Sequence, residues 1–196
     1  FFTFAIFPVV SRQAAQDRSG LRQSYRLSVK LLTILTLPLA LGLTLLATPL
    51  VGVLSGRRFL PYGATILQIL VWAIVFGWVN SVTNYVLIAL HRQRYVLLAS
   101  GTRVVFAVLA NLVFVRSYSY VASAWTMIGG EFLLAILFAV ALQSDLGRMG
   151  WGRTIGKPLL AGLAMGLSAW LVSASGSVLA LCVGWAVYVA ALFALR

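Results

Sequence analysis

The chain has 196 residues, of which 62% are hydrophobic and only 9% are charged, and its formal net charge is +12. Soluble domains are about 45–50% apolar and about 25% charged, so this composition excludes an ordinary water-soluble fold and indicates a protein dissolved in lipid. The basic residues stand between apolar segments and form no basic stripe with interleaved aromatic residues. They favour contact with anionic lipid headgroups, and nucleic acid is not an expected partner.

The first ten residues, FFTFAIFPVV, are apolar and lack the basic region and the small-residue cleavage site of a signal peptide. A polar stretch with four arginines follows them at 11–28. The opening residues therefore predict the tail of a helix that starts further upstream. We expect the chain to be the C-terminal part of a longer protein.

Apolar segments of spanning length recur along the rest of the chain and predict six transmembrane helices. Their approximate bounds are 29–54, 63–90, 95–115, 120–143, 158–172 and 178–195. The sequence shows no alternating segments of about ten residues, which are typical of membrane β-barrels. The predicted fold class is an all-α polytopic membrane helix bundle, about six transmembrane helices plus the tail of a seventh, and residues 1–196 are predicted to form a single transmembrane domain.

The distribution of Lys and Arg predicts the orientation of these helices. Eleven basic residues fall in alternate connections and at the C-terminus, whereas the opposite side holds only Arg57, Arg58 and Arg116. Basic connections stay on the cytoplasmic side. The loops at 11–30, 91–94 and 144–157 are therefore predicted to be cytoplasmic, in a multi-pass protein of the cell inner membrane.

Two charged residues, Arg103 and Glu131, fall within predicted spans. Arg103 lies eight residues past Tyr95, about 12 Å from the end of its span, and Glu131 lies twelve residues before Gln143, about 18 Å from the end of its own. A charge at such depth is costly unless it pairs, reaches the interface or faces water. Two interpretations stay open: an ion pair that only allows both charges to be buried, and a pathway for a substrate or a coupled ion.

Two stripes of small and polar residues accompany these charges. Residues three or four apart share one face of a helix, and each stripe has that spacing. Such a stripe either lines a polar cavity or packs and hydrogen-bonds against a neighbouring helix, and both interpretations remain. The stripes are Ser100, Arg103, Ala107 and Asn111 on the third span, and Gly77, Asn80, Ser81 and Asn84 on the second.

Small residues and prolines mark other spans. Gly162 and Gly166 form a GxxxG pattern, which predicts close packing against another helix. Pro38 and Pro49 lie within the first span and predict kinks, because proline removes a backbone N–H and its ring clashes with the preceding turn.

Arrangements typical of enzymes are missing from the sequence. It contains no P-loop, no Cys/His metal spacing, no nucleophile elbow and no pair of carboxylates. With three acidic residues in all, general acid–base chemistry has few candidates. We expect a protein that is not an enzyme and holds no metal or other cofactor.

Local patterns over residues 4–142 resemble the second-half repeat of polysaccharide exporters, the Wzx-like flippases of the multidrug/oligosaccharidyl-lipid/polysaccharide superfamily. One departure is the segment Tyr118-Ser119-Tyr120, where members usually have a Gly-rich turn. The matching patterns are Phe7-Pro8-Val9-Val10-Ser11-Arg12, Pro38-x-Ala40-x-Gly42-Leu43, Leu46-Ala47-x-Pro49-Leu50-Val51-x-x-Leu54-x-Gly56-x-x-Phe59, Ala64-x-x-Leu67-x-x-Leu70, Asn84-x-x-Leu87-x-Ala89-Leu90-x-Arg92, Asn111-Leu112-Val113 and Ala122-Ser123-Ala124.

The resemblance implies a transporter of two pseudo-symmetric lobes, of which this chain is the second. Region 1–142 is then the exporter repeat, region 158–195 adds two helices, and the missing N-terminal lobe is a partner. Such proteins move lipid-linked oligosaccharide between membrane leaflets by alternating access. The expected site residues are Arg103 for the pyrophosphate, with Asn80, Asn84, Asn111 and Ser100 lining the sugar cavity, and Arg103 and Glu131 as an ion pair or coupling pair.

Competing functions remain at this point. A cation-coupled multidrug exporter of the same superfamily would use Glu131 for the coupling ion. A membrane-embedded glycan polymerase or ligase would need long external loops, whereas the spans above leave only short external connections. A purely structural membrane subunit is a further alternative, against which the two buried charges argue.

Overall fold

The computed structural model describes residues 13, 18–147, 150–172 and 177–194, and within these it contains helices and no strand. The helices Arg18–Leu45, Tyr62–Ala89, Gln93–Leu146 and Thr154–Val172 are long and apolar enough to cross a membrane. The predicted all-α polytopic membrane bundle is thus confirmed, while the predicted helix tail at 1–10 lies outside the described residues. The elements are α1 (Arg18–Leu45), α2 (Ala47–Leu54), a 3-10 turn (Arg57–Phe59), α3 (Tyr62–Ala89), α4 (Gln93–Leu146), α5 (Trp151–Val172) and α6 (Ser177–Ala194).

Helix α4 is a hairpin of two helical arms, at 93–118 and 120–146, separated by Ser119. Arg103 contacts Glu131 and Asn111 contacts Ser123. Both pairs are centred on residue 117, which is the pattern of two antiparallel arms. The arms account for the predicted spans at 95–115 and 120–143. The predicted four-residue connection at 116–119 is wrong, because only Ser119 leaves the helical conformation.

The break between the arms has a conformation that favours glycine. Ser119 has φ 54° and ψ −139°, a region that side chains with a Cβ seldom adopt. The resemblance to the exporters implies a Gly-rich turn at this position, and the residue found there is Ser119. The contacts between the arms hold Ser119 in this conformation.

Two helices begin earlier than their hydrophobicity predicts. Helix α1 begins at Arg18 and α5 at Trp151, so the predicted loops at 11–30 and 144–157 are wrong in extent. The hydrophobicity of a segment measures its affinity for lipid and does not mark where a helix starts. The first turns of α1 carry arginines, but Leu21 and Tyr25 are fully buried four residues apart, which gives those turns an apolar face. The connection predicted at 91–94 shortens to residues 90–92.

The prolines of the first predicted span act at different places. Pro49 lies in the first turn of α2, where a missing N–H costs little, and α1 ends four residues earlier at Leu45. Pro38 lies inside α1 and leaves the carbonyl of Ile34 without its helical donor. The hydroxyl of Tyr188 in α6 donates to that carbonyl at 2.8 Å. A side chain from a neighbouring helix thus replaces the bond that proline removes.

The chain divides into two compact units, described separately. The first unit comprises residues 1–32 and 76–150, and the second comprises 33–75 and 151–196. Among the described residues of the first unit, Leu21, Tyr25, Leu87 and Leu142 are fully buried. In the second, the buried residues Ala161, Met165 and Tyr188 form a core cluster.

Glycines bring the helices of the second unit close together. A Cβ added at Gly162 would lie 3.6 Å from Leu37, and one added at Gly166 would lie 3.8 Å from Leu41. The predicted packing role of the GxxxG pattern is confirmed by these contacts. Gly184 of α6 is tighter still, because an added Cβ would lie 3.3 Å from Met165.

Candidate functional site

The two intramembrane charges of the first unit meet in an ion pair between the arms of α4. Nη2 of Arg103 lies 2.7 Å from Oε1 of Glu131. Arg103 comes from the first arm and Glu131 from the second, and the antiparallel register of the hairpin places them at the same level. The two residues that the sequence marked as most costly to bury are therefore in direct contact, which lowers the cost of burying each.

Asn80 of α3 completes this charged cluster. Its Nδ2 donates to Oε2 of Glu131 at 2.7 Å and to the Glu131 backbone carbonyl at 2.9 Å. Gly77, one turn earlier on α3, faces the same carboxylate, since a Cβ added there would lie 3.8 Å from Oε2. The small residue lets the carboxylate approach α3. We call Arg103, Glu131 and Asn80 the charged cluster.

The members of the charged cluster differ in exposure. The Glu131 side chain is 10% exposed, whereas that of Arg103 is 36% exposed. Nη2 is the guanidinium atom that contacts Glu131, and the guanidinium has no other partner among residues 18–147, 150–172 and 177–194. An arginine has five N–H donors. The cluster therefore presents a cationic group with unused donors while its acid is enclosed.

Two asparagine oxygens on α3 have unmet hydrogen-bonding capacity. Oδ1 of Asn80 and Oδ1 of Asn84 are both buried, and neither has a hydrogen-bond partner within the described part of the chain. They lie one helical turn apart on the same face. Each is an acceptor that a hydroxyl donor would satisfy.

The other predicted site residues lie outside the charged cluster. Asn111 donates to the Ala107 carbonyl of its own helix at 2.7 Å and accepts from Ser123 at 2.8 Å, so it joins the arms of the hairpin. Ser100 is half-buried on the first arm. The structure thus brings together Arg103, Glu131 and Asn80.

A second charged cluster, around Asp145, was not singled out by the sequence. Arg92 binds the Asp145 carboxylate through two hydrogen bonds, from Nε at 3.0 Å and from Nη2 at 2.9 Å. Arg18 donates to the Asp145 backbone carbonyl at 3.3 Å. The hydrogen bonds and the charge of Asp145 raise the pKa of Arg92 above its usual value. Asp145 is one of only three acidic residues in a chain with fifteen basic residues, and this scarcity is a signal that could have marked it.

The described residues contain no group of three or more His, Cys, Asp or Glu side chains placed to hold a metal ion. The donors near Glu131 are one carboxylate, one guanidinium and one amide. A guanidinium in contact with the carboxylate is unsuited to a metal site, because it already neutralises the charge that a cation would need.

Comparison with known families decides the class of protein. Residues 1–113 match the MatE family. The chain belongs to the MatE family. The MatE family is part of the multidrug/oligosaccharidyl-lipid/polysaccharide exporter superfamily, whose members are transporters. A comparison with curated proteins finds no match.

The MatE match includes two of the three residues of the charged cluster. Asn80 and Arg103 lie within the matched residues, whereas Glu131 and Asp145 lie beyond residue 113. As a MatE protein with several apolar helices of spanning length, the chain is a multi-pass membrane protein of the exporter class. The charged cluster is its candidate functional site.

Proposed function

We propose that this MatE protein moves lipid-linked oligosaccharide precursors across the cytoplasmic membrane by alternating access, and that Arg103 receives their phosphate groups. The observation that carries the proposal is the state of Arg103. It is a third exposed, lies in a helix long and apolar enough to cross a membrane, and has one guanidinium nitrogen engaged with Glu131 and the remainder without a partner among the described residues. Phosphate oxygens are the acceptors that such a planar, forked donor suits best.

The acceptors on α3 suit the sugar part of the same substrate. Sugar hydroxyls are donors, and the buried Oδ1 atoms of Asn80 and Asn84 are acceptors without a partner in the described chain. A helix movement that opens this face would let hydroxyls take up those positions. On the first arm, Ser100 lies one turn before Arg103 and Asn111 about two turns after it, on the face that carries Arg103.

The proposed function also requires a second lobe and a defined orientation in the membrane. We propose that the chain forms one lobe of a two-lobe exporter, and that the other lobe supplies the opposite wall of the cavity. The residues at 91–94, 144–157 and 11–30, which the structure places partly in helix ends, would face the cytoplasm because they hold most of the basic residues. In that orientation the substrate enters at the cytoplasmic leaflet.

The test is translocation of a fluorescent lipid-linked oligosaccharide in proteoliposomes that contain the complete transporter. Arg103→Gln removes the positive charge and should reduce the initial rate by about tenfold or more. Arg116→Gln removes the same charge from an exposed position on the same arm and should leave the rate near that of the wild type. Equal rates for all three proteins would contradict the proposal.

A second candidate function is cation-coupled export of a small hydrophobic compound. The observation that favours it is the enclosure of Glu131, which is 10% exposed and bound by both Arg103 and Asn80. Proton uptake by this carboxylate would release Arg103, so the pair has the parts of a switch. Transport that follows an imposed ion gradient and is lost in Glu131→Gln would favour this function over the first.

A further inference from the structure

An apolar groove runs between the two arms of the α4 hairpin, on the side of the charged cluster towards Ser119. Its volume is about 460 Å³, within the range of about 300–1,000 Å³ that is typical of small-molecule sites. The first arm contributes a row of residues spaced by four, and the second arm contributes two adjacent pairs. The lining residues of the first arm are Phe106, Ala110, Phe114 and Tyr118, and those of the second are Val121, Ala122, Trp125 and Thr126.

The shape of the groove follows from the alternation of large and small side chains. Ala110 and Ala122 leave space between the arms, and the aromatic rings of Phe114, Tyr118 and Trp125 form the walls. Tyr118 is 66% exposed and Trp125 is 60% exposed, so the rings are open on one side. From Phe106 to Tyr118 the groove extends about 18 Å along the arm. It is therefore long, narrow and open to a chain-like apolar group.

The groove adjoins Arg103. Arg103 and Phe106 lie one turn apart on the first arm, and both side chains pack against the adjacent glycines of the second. A Cβ added at Gly130 would lie 3.4 Å from Cγ of Arg103, and one added at Gly129 would lie 3.3 Å from Cζ of Phe106. Without side chains at Gly129 and Gly130, the cationic group and the first ring of the groove lie on one continuous surface.

We infer that this groove binds the apolar chain of the transported substrate while the phosphate headgroup of the same molecule lies at Arg103. The inference rests on the proposed function and adds to it a second point of recognition. The tail of a bilayer lipid would gain little binding free energy by entering the groove, since the surrounding lipid tails are as apolar as the groove itself. An amphiphile with a phosphate headgroup gains the contact with Arg103 as well, and its chain then lies beside the groove. Charge and shape together select such a molecule.

The experiment measures equilibrium binding of two compounds to the purified transporter in amphipol, where no bilayer competes for the chain. The compounds are farnesyl diphosphate and methyl diphosphate, and the ratio of their affinities reports the contribution of the chain. Ala110→Trp fills the groove and should reduce this ratio about tenfold. The affinity for inorganic diphosphate, which reports the headgroup position, should stay as in the wild type.

The matched control is Leu112→Trp. Leu112 is two residues further along the same arm, so it points to the opposite side, and it is 73% exposed. This variant should keep the wild-type ratio. A ratio that is unchanged in Ala110→Trp, or reduced equally in Leu112→Trp, overturns the inference and leaves bilayer lipid or another segment of the protein as the occupant.

Two further measurements separate the possible failures. Farnesyl diphosphate with a photoreactive group at the end of its chain should label wild-type protein between residues 114 and 125, and labelling confined to α5 and α6 overturns the inference even if Ala110→Trp does not fold. Inorganic diphosphate that binds equally to Arg103→Gln and wild type counts against the proposed function instead. The groove and the headgroup position are thus tested by different readouts.

Discussion

The helices of the first unit and those of the second unit are held together, within each unit, by different kinds of contact. The ion pairs of Arg103 with Glu131 and of Arg92 with Asp145 both lie in the first unit. The second unit relies on close approach at Gly162, Gly166 and Gly184 and on a buried apolar cluster around Met165. Close packing of small residues is the ordinary way for helices to associate in membranes.

From this difference we propose that function is concentrated in the first unit. A charge at membrane depth is costly even when paired, because a well-packed apolar side chain is often as stable or more stable in its place. The first unit carries that cost at Arg103 and Glu131, whereas the glycine contacts of the second stabilise helix packing directly. Substitutions in the charged cluster should therefore alter substrate handling, and those at the glycine contacts should alter stability alone.

The largest expected effect on stability comes from Glu131→Ala. The substitution leaves the Arg103 guanidinium without its counter-charge and the Asn80 amide without its acceptor, so the free energy of unfolding should fall by about 2–3 kcal/mol. Denaturation in detergent would measure it. The double variant Arg103→Gln/Glu131→Gln removes both charges together and should recover most of the loss, and a double variant as unstable as Glu131→Ala would show that the pair is not the cause.

The next effect should be in the second unit, from Gly184→Leu. The added side chain meets Met165 and Ala169 at 3.3 Å from its Cβ, so overpacking should reduce the free energy of unfolding by about 2 kcal/mol. Gly156→Leu in α5 is the control, since a Cβ there meets nothing within 4 Å. Diphosphate binding should be unchanged in folded Gly184→Leu protein, and altered binding would break the contrast between the units.

A smaller loss is expected from Tyr188→Phe, because the part-buried carbonyl of Ile34 then loses the Tyr188 hydroxyl and has no helical N–H in its place, since Pro38 lacks one. The free energy of unfolding should fall by about 1.5 kcal/mol. In a Pro38→Ala background the same change should cost much less, since residue 38 regains its N–H. Tyr25→Phe in the first unit is the comparison. Its partner Thr83 already donates to Val79 at 2.8 Å, so the loss there should be about 0.6 kcal/mol.

The smallest effect should be a gain, from Ser119→Gly. Glycine adopts the φ and ψ of Ser119 without a steric penalty, so the substitution should raise the free energy of unfolding by about 1 kcal/mol. The melting temperature in detergent would report it. A decrease would mean that the Ser119 side chain contributes more to the turn than its backbone strain costs.

The sequence predicted the fold class, but it did not predict where each helix begins or how the chain turns at Ser119. Composition and apolar length were enough for the all-α membrane class, because lipid imposes it. The start of α1 at Arg18 and of α5 at Trp151 was missed, because polar residues can be helical beyond the apolar core of a span. The single-residue turn at Ser119 was missed because the hydrophobicity of a segment does not report its backbone conformation.

The site was predictable in its components and not in its arrangement. Cost at membrane depth singled out Arg103 and Glu131, and helical spacing singled out Asn80. The stripe interpretation placed Asn111 and Ser100 beside Arg103, but only contacts between the arms show that Asn111 bonds to Ser123. The Tyr188 bond to the Ile34 carbonyl and the Asp145 cluster join residues far apart in sequence, and no local pattern marks them.

The most direct test of the central claim is the affinity for inorganic diphosphate of two variants with opposite changes in charge. If Arg103 is the headgroup site and Glu131 competes with the headgroup for it, Arg103→Gln should weaken binding about tenfold, whereas Glu131→Gln should strengthen it several-fold. Gln at position 131 keeps an oxygen for Asn80 while it removes the competing charge. Weaker binding in both variants, or no change in Arg103→Gln, would contradict the account.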